Sequence, residues 1–131
     1  MQQTQTLTVL TEDYKKILSW LRDGHLLNAM DSRLIHQLKE ELQKARQVNR
    51  EEMPADVVRL YSTVTVLEQG KNNPVTFTIV PPGHASIPEK KVSLLAPMAT
   101  ALFGYRTGDR VEWEVPSGWK TFIIQQVVNA D

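Results

Sequence analysis

Residues 92–118 read VSLLAPMATALFGYRTGDRVEWEVPSG, and the way this stretch divides into elements decides the fold. Lys91–Leu95 is a short apolar run, which predicts a strand. Ala96-Pro97-Met98 breaks it. Proline lacks a backbone N–H and is tolerated in the first turn of a helix, so a helix is expected to start here, carrying Ala99, Ala101, Leu102 and Phe103. Gly104 ends that helix. Gly108-Asp109 is a turn signal. Val111, Trp113 and Val115 then alternate with Glu112 and Glu114, which puts the three apolar residues on one face of a strand. Pro116-Ser117-Gly118 closes the stretch as a turn.

The same period of two extends on both sides. Leu60, Ser62, Val64 and Val66 alternate with Tyr61, Thr63 and Thr65, predicting a strand over Val58–Leu67. Gln69-Gly70-Lys71-Asn72-Asn73-Pro74 is a turn cluster, and Val75–Val80 is the returning strand of a hairpin. Pro81-Pro82-Gly83 ends it, and the way to Pro88 is irregular. Trp119–Val128 pairs with Val111–Val115 as a last hairpin. The reading is an antiparallel sheet with one short helix packed on it.

Before residue 50 the period is that of a helix. Tyr14, Ile17, Leu18 and Leu21 share one face. Thr11 is suited to an N-cap, Glu12 and Asp13 suit the first turn, and Gly24 suits a stop. A second helix is expected from Asp31 or Ser32. Its Ile35, Leu38, Leu42 and Ala45 form a short heptad seam that Leu34 widens, and Glu40–Lys44 is an i,i+4 pair. A short link between the two helices predicts an antiparallel αα-hairpin. The hairpin is small enough to need support from the second half. The fold class expected is therefore α+β, divided into a helical unit over 1–50 and a sheet unit over 51–131.

Composition excludes some chemistry. The 131 residues carry 15 basic and 15 acidic side chains, so bulk charge does not drive binding to nucleic acid or membrane. There are no cysteines, which removes disulfides, thiolate nucleophiles and Cys-ligated metals. His25, His36 and His84 are scattered without metal-ligand spacing. No phosphate-cradling glycine loop and no G-x-S-x-G occurs. No apolar run is long enough to span a bilayer and no signal peptide is read. The first six residues are expected to fray.

The order of parts in 92–118 resembles the C-terminal domain of the bacterial Gre transcript-cleavage factors. That family shares an apolar strand, a Ser/Ala-Pro-hydrophobic step, a small-residue helix, a Gly-Asp turn and a final Pro-Gly hairpin. The run Glu51-Glu52-Met53-Pro54-Ala55-Asp56-Val57-Val58, with Ser62 soon after, resembles the Rnk branch of that family, the regulators of nucleoside diphosphate kinase, whose coiled coil is shortened. The resemblance implies an FKBP-like C-terminal fold and RNA polymerase as partner, bound at the rim of its secondary channel; the absence of cysteines fits a cytoplasmic protein, and the short loop between the helices favours pairing within the chain, hence a monomer. The resemblance places the contact at the strand-to-helix corner, here Leu95, Ala96, Pro97 and Met98. Gre factors often carry an aspartate before the Ser-Pro step where this chain has Leu95, so the contact expected here is apolar.

The resemblance also sets what is absent. Transcript cleavage needs acids at the tip of a long coiled coil, to help hold a second metal in the polymerase. The tip residues of this chain, Asp23, His25 and Asp31, lack the closely spaced acid pair. Asp31 reads as a helix cap and Asp23 as a solvated charge. No catalytic residue, metal or cofactor is expected. A peptidyl-prolyl isomerase is the enzymatic alternative that an FKBP-like fold invites, and a scaffold for another partner is the third reading. Trp119 has two readings, a surface contact or a cross-strand partner near the turn.

Overall fold

A computed structural model describes residues 7–22, 32–115 and 118–129. Two sheets and three helices make up these residues. The elements in chain order are β1 Thr8–Leu10, α1 Thr11–Leu21, α2 Ser32–Lys44, β2 Arg46–Val48, β3 Thr63–Glu68, β4 Val75–Val80, β5 Lys91–Ser93, α3 Pro97–Leu102, β6 Arg110–Val115 and β7 Gly118–Val128. The larger sheet has five strands in the order β5-β4-β3-β7-β6. The fold is mixed α+β.

The alternation read over 58–67 holds side by side. Leu60, Ser62, Val64 and Val66 are buried, Tyr61 is exposed, and Thr63 and Thr65 are half-buried. On the outward face the hydroxyls of Thr63 and Thr78 meet at 3.0 Å and those of Thr65 and Thr76 at 2.9 Å, cross-strand pairs that fix the β3–β4 register. The strand itself starts only at Thr63. Ahead of it, Val58 N–H donates to Tyr105 C=O and Gly104 N–H donates to Val58 C=O, so the backbone there is claimed by the exit of α3. Tyr61 then turns the chain at a φ of 70°. Where β3 meets β7 the register shifts between Thr65 and Val66, a bulge that increases local twist.

The expectation of a purely antiparallel sheet is corrected at one edge. β5 runs parallel to β4, with Ile79 opposite Val92. Parallel neighbours need a crossover rather than a tight turn, and the irregular connection 81–90 supplies it, with Gly83 at a φ of 89° and Lys90 at 58°. β5 is also shorter than the expected Lys91–Leu95, because Leu94 and Leu95 already belong to the corner that leads into α3.

Both N-terminal helices form. Their link, with Gly24 and the tip residues Asp23, His25 and Asp31, lies outside the described residues, as do residues 116 and 117 of the last turn. The first six residues, expected to fray, lie outside the described residues, and from Leu7 the chain enters β1, which pairs in parallel with β2. Thr11 is not the N-cap: Leu10 occupies that position without a side-chain bond, and the Thr11 hydroxyl donates to Val48 C=O at 3.4 Å. The sheet strand takes the hydroxyl that the helix end was expected to use. Glu40 pairs with His36 at 3.1 Å rather than with Lys44.

One continuous core joins both halves. Ile17 and Leu21 of α1 and Leu38 and Leu42 of α2 are buried in the same cluster as Val64, Phe77, Ile79, Leu102, Phe103, Val111 and Ile124. The expected core places of Ile35 and Trp113 lie outside the described side chains. Leu7 packs so tightly on Gly104 that a Cβ at residue 104 would stand 2.9 Å from Leu7 Cβ. Among the described residues, no helix is long and apolar enough to cross a membrane.

Candidate partner-docking site

The corner Leu95–Met98 is built by a strand that stops and a proline that starts a helix. Leu94 N–H donates to Val80 C=O at 2.9 Å, the last sheet bond on this side. Ser93 then works twice. Its Oγ accepts Leu95 N–H at 3.1 Å, and its C=O accepts Ala96 N–H at 2.9 Å. Ala96 is the N-cap of α3, extended at φ −72° and ψ 147°. That conformation is the one proline imposes on the residue before it. Ala96 C=O accepts Thr100 N–H at 2.9 Å as the first helical bond. The Thr100 hydroxyl, buried, donates at 2.7 Å to Leu94 C=O, tying the helix back onto the strand it left.

The four expected contact residues are thus brought together, but they differ in access. Leu95 is only 8% exposed and belongs to the core. Ala96 and Met98 are half-buried, and Met98 lies against the core with part of its surface free. Ser93 and Thr100 were missed by the reading of the sequence. Their signal was present as hydroxyl residues on either side of an apolar step, where they are suited to local backbone bonds.

The small residues of α3 have a packing reason. Ala99 and Ala101 are buried, and α3 sits against α2 and β6. Phe103 and Tyr105 are fully buried too. Burial pushes the Tyr105 phenol well above its ordinary pKa, and the charges of Glu41 and Asp109 add to the rise.

The Arg-Thr-Gly-Asp run is a locked turn. Arg106 N–H donates to Asp109 Oδ2 at 2.7 Å, and Gly108 sits at a φ of 91°. The Arg106 guanidinium reaches Asp56, with Nε 3.0 Å from Oδ1. Asn129 closes the same region. Its amide donates to Ala55 C=O and Val57 C=O, both at 2.9 Å, and its Oδ1 accepts the Ser62 hydroxyl. Ser62 Oγ in turn accepts Arg59 N–H at 2.8 Å. Glu52 is exposed and exchanges bonds with Asn49 in a reciprocal cap: Glu52 N–H to Asn49 Oδ1 at 3.0 Å and Asn49 N–H to Glu52 Oε1 at 3.4 Å.

His36 and His84 are exposed, and no group of metal-ligating side chains occurs among the described residues. Trp119 is exposed and stands opposite Glu114 across the last hairpin, so it is both a surface ring and a cross-strand neighbour.

Comparison with known proteins gives a consistent outcome. The profile of the family described as "Transcription elongation factor, GreA/GreB, C-term" matches residues 53–129. A regulator of nucleoside diphosphate kinase from Escherichia coli K12 is 35% identical over 86 residues, 66% of this chain and 63% of that protein. A transcription elongation factor GreA from Rickettsia canadensis is 30% identical over 93 residues, 71% of this chain and 57% of that protein. The matches therefore span less than two thirds of the length of these relatives. A solved prokaryotic transcription elongation factor GreA/GreB from Nitrosomonas europaea superposes with a TM-score of 0.77 at 27% identity, covering 96% of this chain and all of that one.

Proposed function

Because the chain belongs to the GreA/GreB C-terminal family, we propose that it is a transcription regulator of the Rnk/Gre type that binds RNA polymerase near its secondary channel without stimulating transcript cleavage. The observation that carries this reading is the corner itself. Ser93 and Thr100 hold Ala96, Pro97 and Met98 in a fixed relief at the end of β5, a rigid platform of the kind that docking requires. The half-buried Ala96 and Met98 supply an apolar surface there. Leu95 serves by filling the core beneath them.

The helical arm contributes no chemistry in this reading. On the same reading the chain divides into a helical-hairpin unit over 1–50 and an FKBP-like unit over 51–131, and the tip residues Asp23, His25 and Asp31 supply no catalytic acid pair. The protein acts as a monomer in the cytoplasm, with no cofactor, and occupies the docking site of cleavage factors. Any effect on nucleoside diphosphate kinase is indirect. The isomerase reading is set aside because Phe103 and Tyr105 are buried, and fold alone does not warrant an activity.

Two measurements test this. Purified polymerase should be captured by the natural chain and lost by Pro97→Asp with its circular dichroism unchanged. Capture that survives in the folded variant removes the corner from the interface. Stalled elongation complexes should show no added transcript cleavage. Cleavage that vanishes in Asp23→Ala or Asp31→Ala would refute the non-cleaving role.

A further inference from the structure

A second feature lies away from the corner and is not used by the docking reading. Between the first turns of α1 and the segment ahead of β3 is a pocket of about 130 Å³, whose walls include Asp13, Lys16, Arg50, Arg59, Tyr61 and Asn129. Three of these are cations from three separate stretches of chain. Arg59 is 5% exposed and Asp13 is 4% exposed. Buried charges are costly and are kept in place only by partners. Asp13 Oδ2 accepts Leu60 N–H at 3.4 Å, which fixes the carboxylate against the pocket. Arg50 is steadied at the rim by Glu12, with Nε 2.7 Å from Oε1. Asn129 is wall rather than ligand, because its amide is committed to Ala55, Val57 and Ser62.

Tyr61 stands at the mouth. Tyr61 is 54% exposed, and its backbone is held at a φ of 70° by the bond from its N–H to Ile79 C=O at 2.7 Å. A non-glycine residue in this region stores strain that the surroundings must over-determine. Here it places Tyr61 on the wall of the pocket with the cations.

We infer that this pocket binds inorganic phosphate, which still carries a proton at neutral pH. Lys16, Arg50 and Arg59 outnumber the carboxylates of Asp13 and Glu12, so the walls keep a net positive charge, which favours an oxyanion. The Asp13 carboxylate then discriminates. An oxyanion with an O–H donates to Asp13, whereas sulfate, which has no proton at neutral pH, meets it as one negative charge against another.

The test uses the full chain at neutral pH and constant ionic strength, with the Tyr61 resonances followed by NMR. Sodium phosphate, sodium sulfate and phenyl phosphate are titrated separately. Phosphate should give a saturable shift, and sulfate should bind at least about tenfold more weakly, the scale of one charge-assisted hydrogen bond. Phenyl phosphate, whose second pKa is about 6 and which has largely lost its proton at neutral pH, should bind as weakly as sulfate; binding as tight as that of phosphate would overturn the role of Asp13. Lys16→Ala, at an exposed position, should weaken phosphate binding by about tenfold with the spectrum otherwise native. Asp13→Asn should bring sulfate level with phosphate, because the new amide donates to either. Equal binding of phosphate and sulfate by the natural chain, or no loss in Lys16→Ala, overturns the assignment. Those two arms decide it even if Asp13→Asn does not fold.

Discussion

Asp13 is the residue at which burial and charge oppose each other most plainly. Burial raises its pKa above the ordinary carboxylate value, partly offset by the Leu60 N–H; Glu12 pushes it further up, while Lys16 and Arg59 pull it down. The folded chain therefore holds a proton there more readily than the unfolded chain does. The contribution of Asp13 to stability is greatest in acid and falls as pH rises from the ordinary value through the folded one. Asp13→Asn keeps an acceptor for Leu60 N–H and removes that fall. Its urea midpoint should exceed that of the natural chain at pH 7 and lie close to it near pH 4, and a lower midpoint at pH 7 would contradict the burial argument. Two glycines make a second comparison at this scale. Gly108→Ala meets open space and pays only for the left-handed backbone, on the order of 1 kcal/mol. Gly104→Ala adds a clash with Leu7 Cβ at 2.9 Å, so its thermal midpoint should fall clearly further.

At the scale of elements, α3 is short and its place depends on the bond from Thr100 to Leu94 C=O. Thr100→Val keeps the shape and leaves a buried carbonyl unsatisfied, which costs about 1–3 kcal/mol. Thr100→Ser should recover most of that loss, as read by chemical denaturation. If the corner docks a partner, polymerase capture should follow the same order: natural, then serine, then valine. The edge of the sheet shows why α3 needs this tie. β5 has three residues and pairs on one side only among the described strands, so it anchors the corner weakly by itself. Trp119 belongs to this scale as well. It is exposed opposite Glu114, so Trp119→Thr should change stability by less than about 1 kcal/mol.

For the whole molecule, the helices and the sheet share one core. Leu42→Ala should cost about 2–5 kcal/mol, as for other fully buried leucines, although it lies outside the segment that the family profile matches. A fragment of residues 51–131 would lose Leu7, Ile17, Leu21, Leu38 and Leu42 from that cluster. It should therefore unfold at markedly lower urea than the full chain. Equal midpoints would mean that the helical half contributes nothing to the stability of the sheet.

Local order in the chain was enough to reveal the period-two face of Leu60, Ser62, Val64 and Val66, the proline start of α3 and the glycine that ends it. Each of these depends on neighbours a few residues apart, where steric limits and side-chain alternation act directly. The corner was readable for the same reason, since proline sets its own φ and restricts the residue before it. Folding in three dimensions alone decided the rest. β1 and β2 are too short for any period and exist because residues 8–10 and 46–48 meet. β5 turned parallel because its connection crosses the sheet. Leu95 went inward although its position suggested a contact. Asp13, an ordinary first-turn acid by its sequence, became a buried charge because the segment at Leu60, distant along the chain, closes over it.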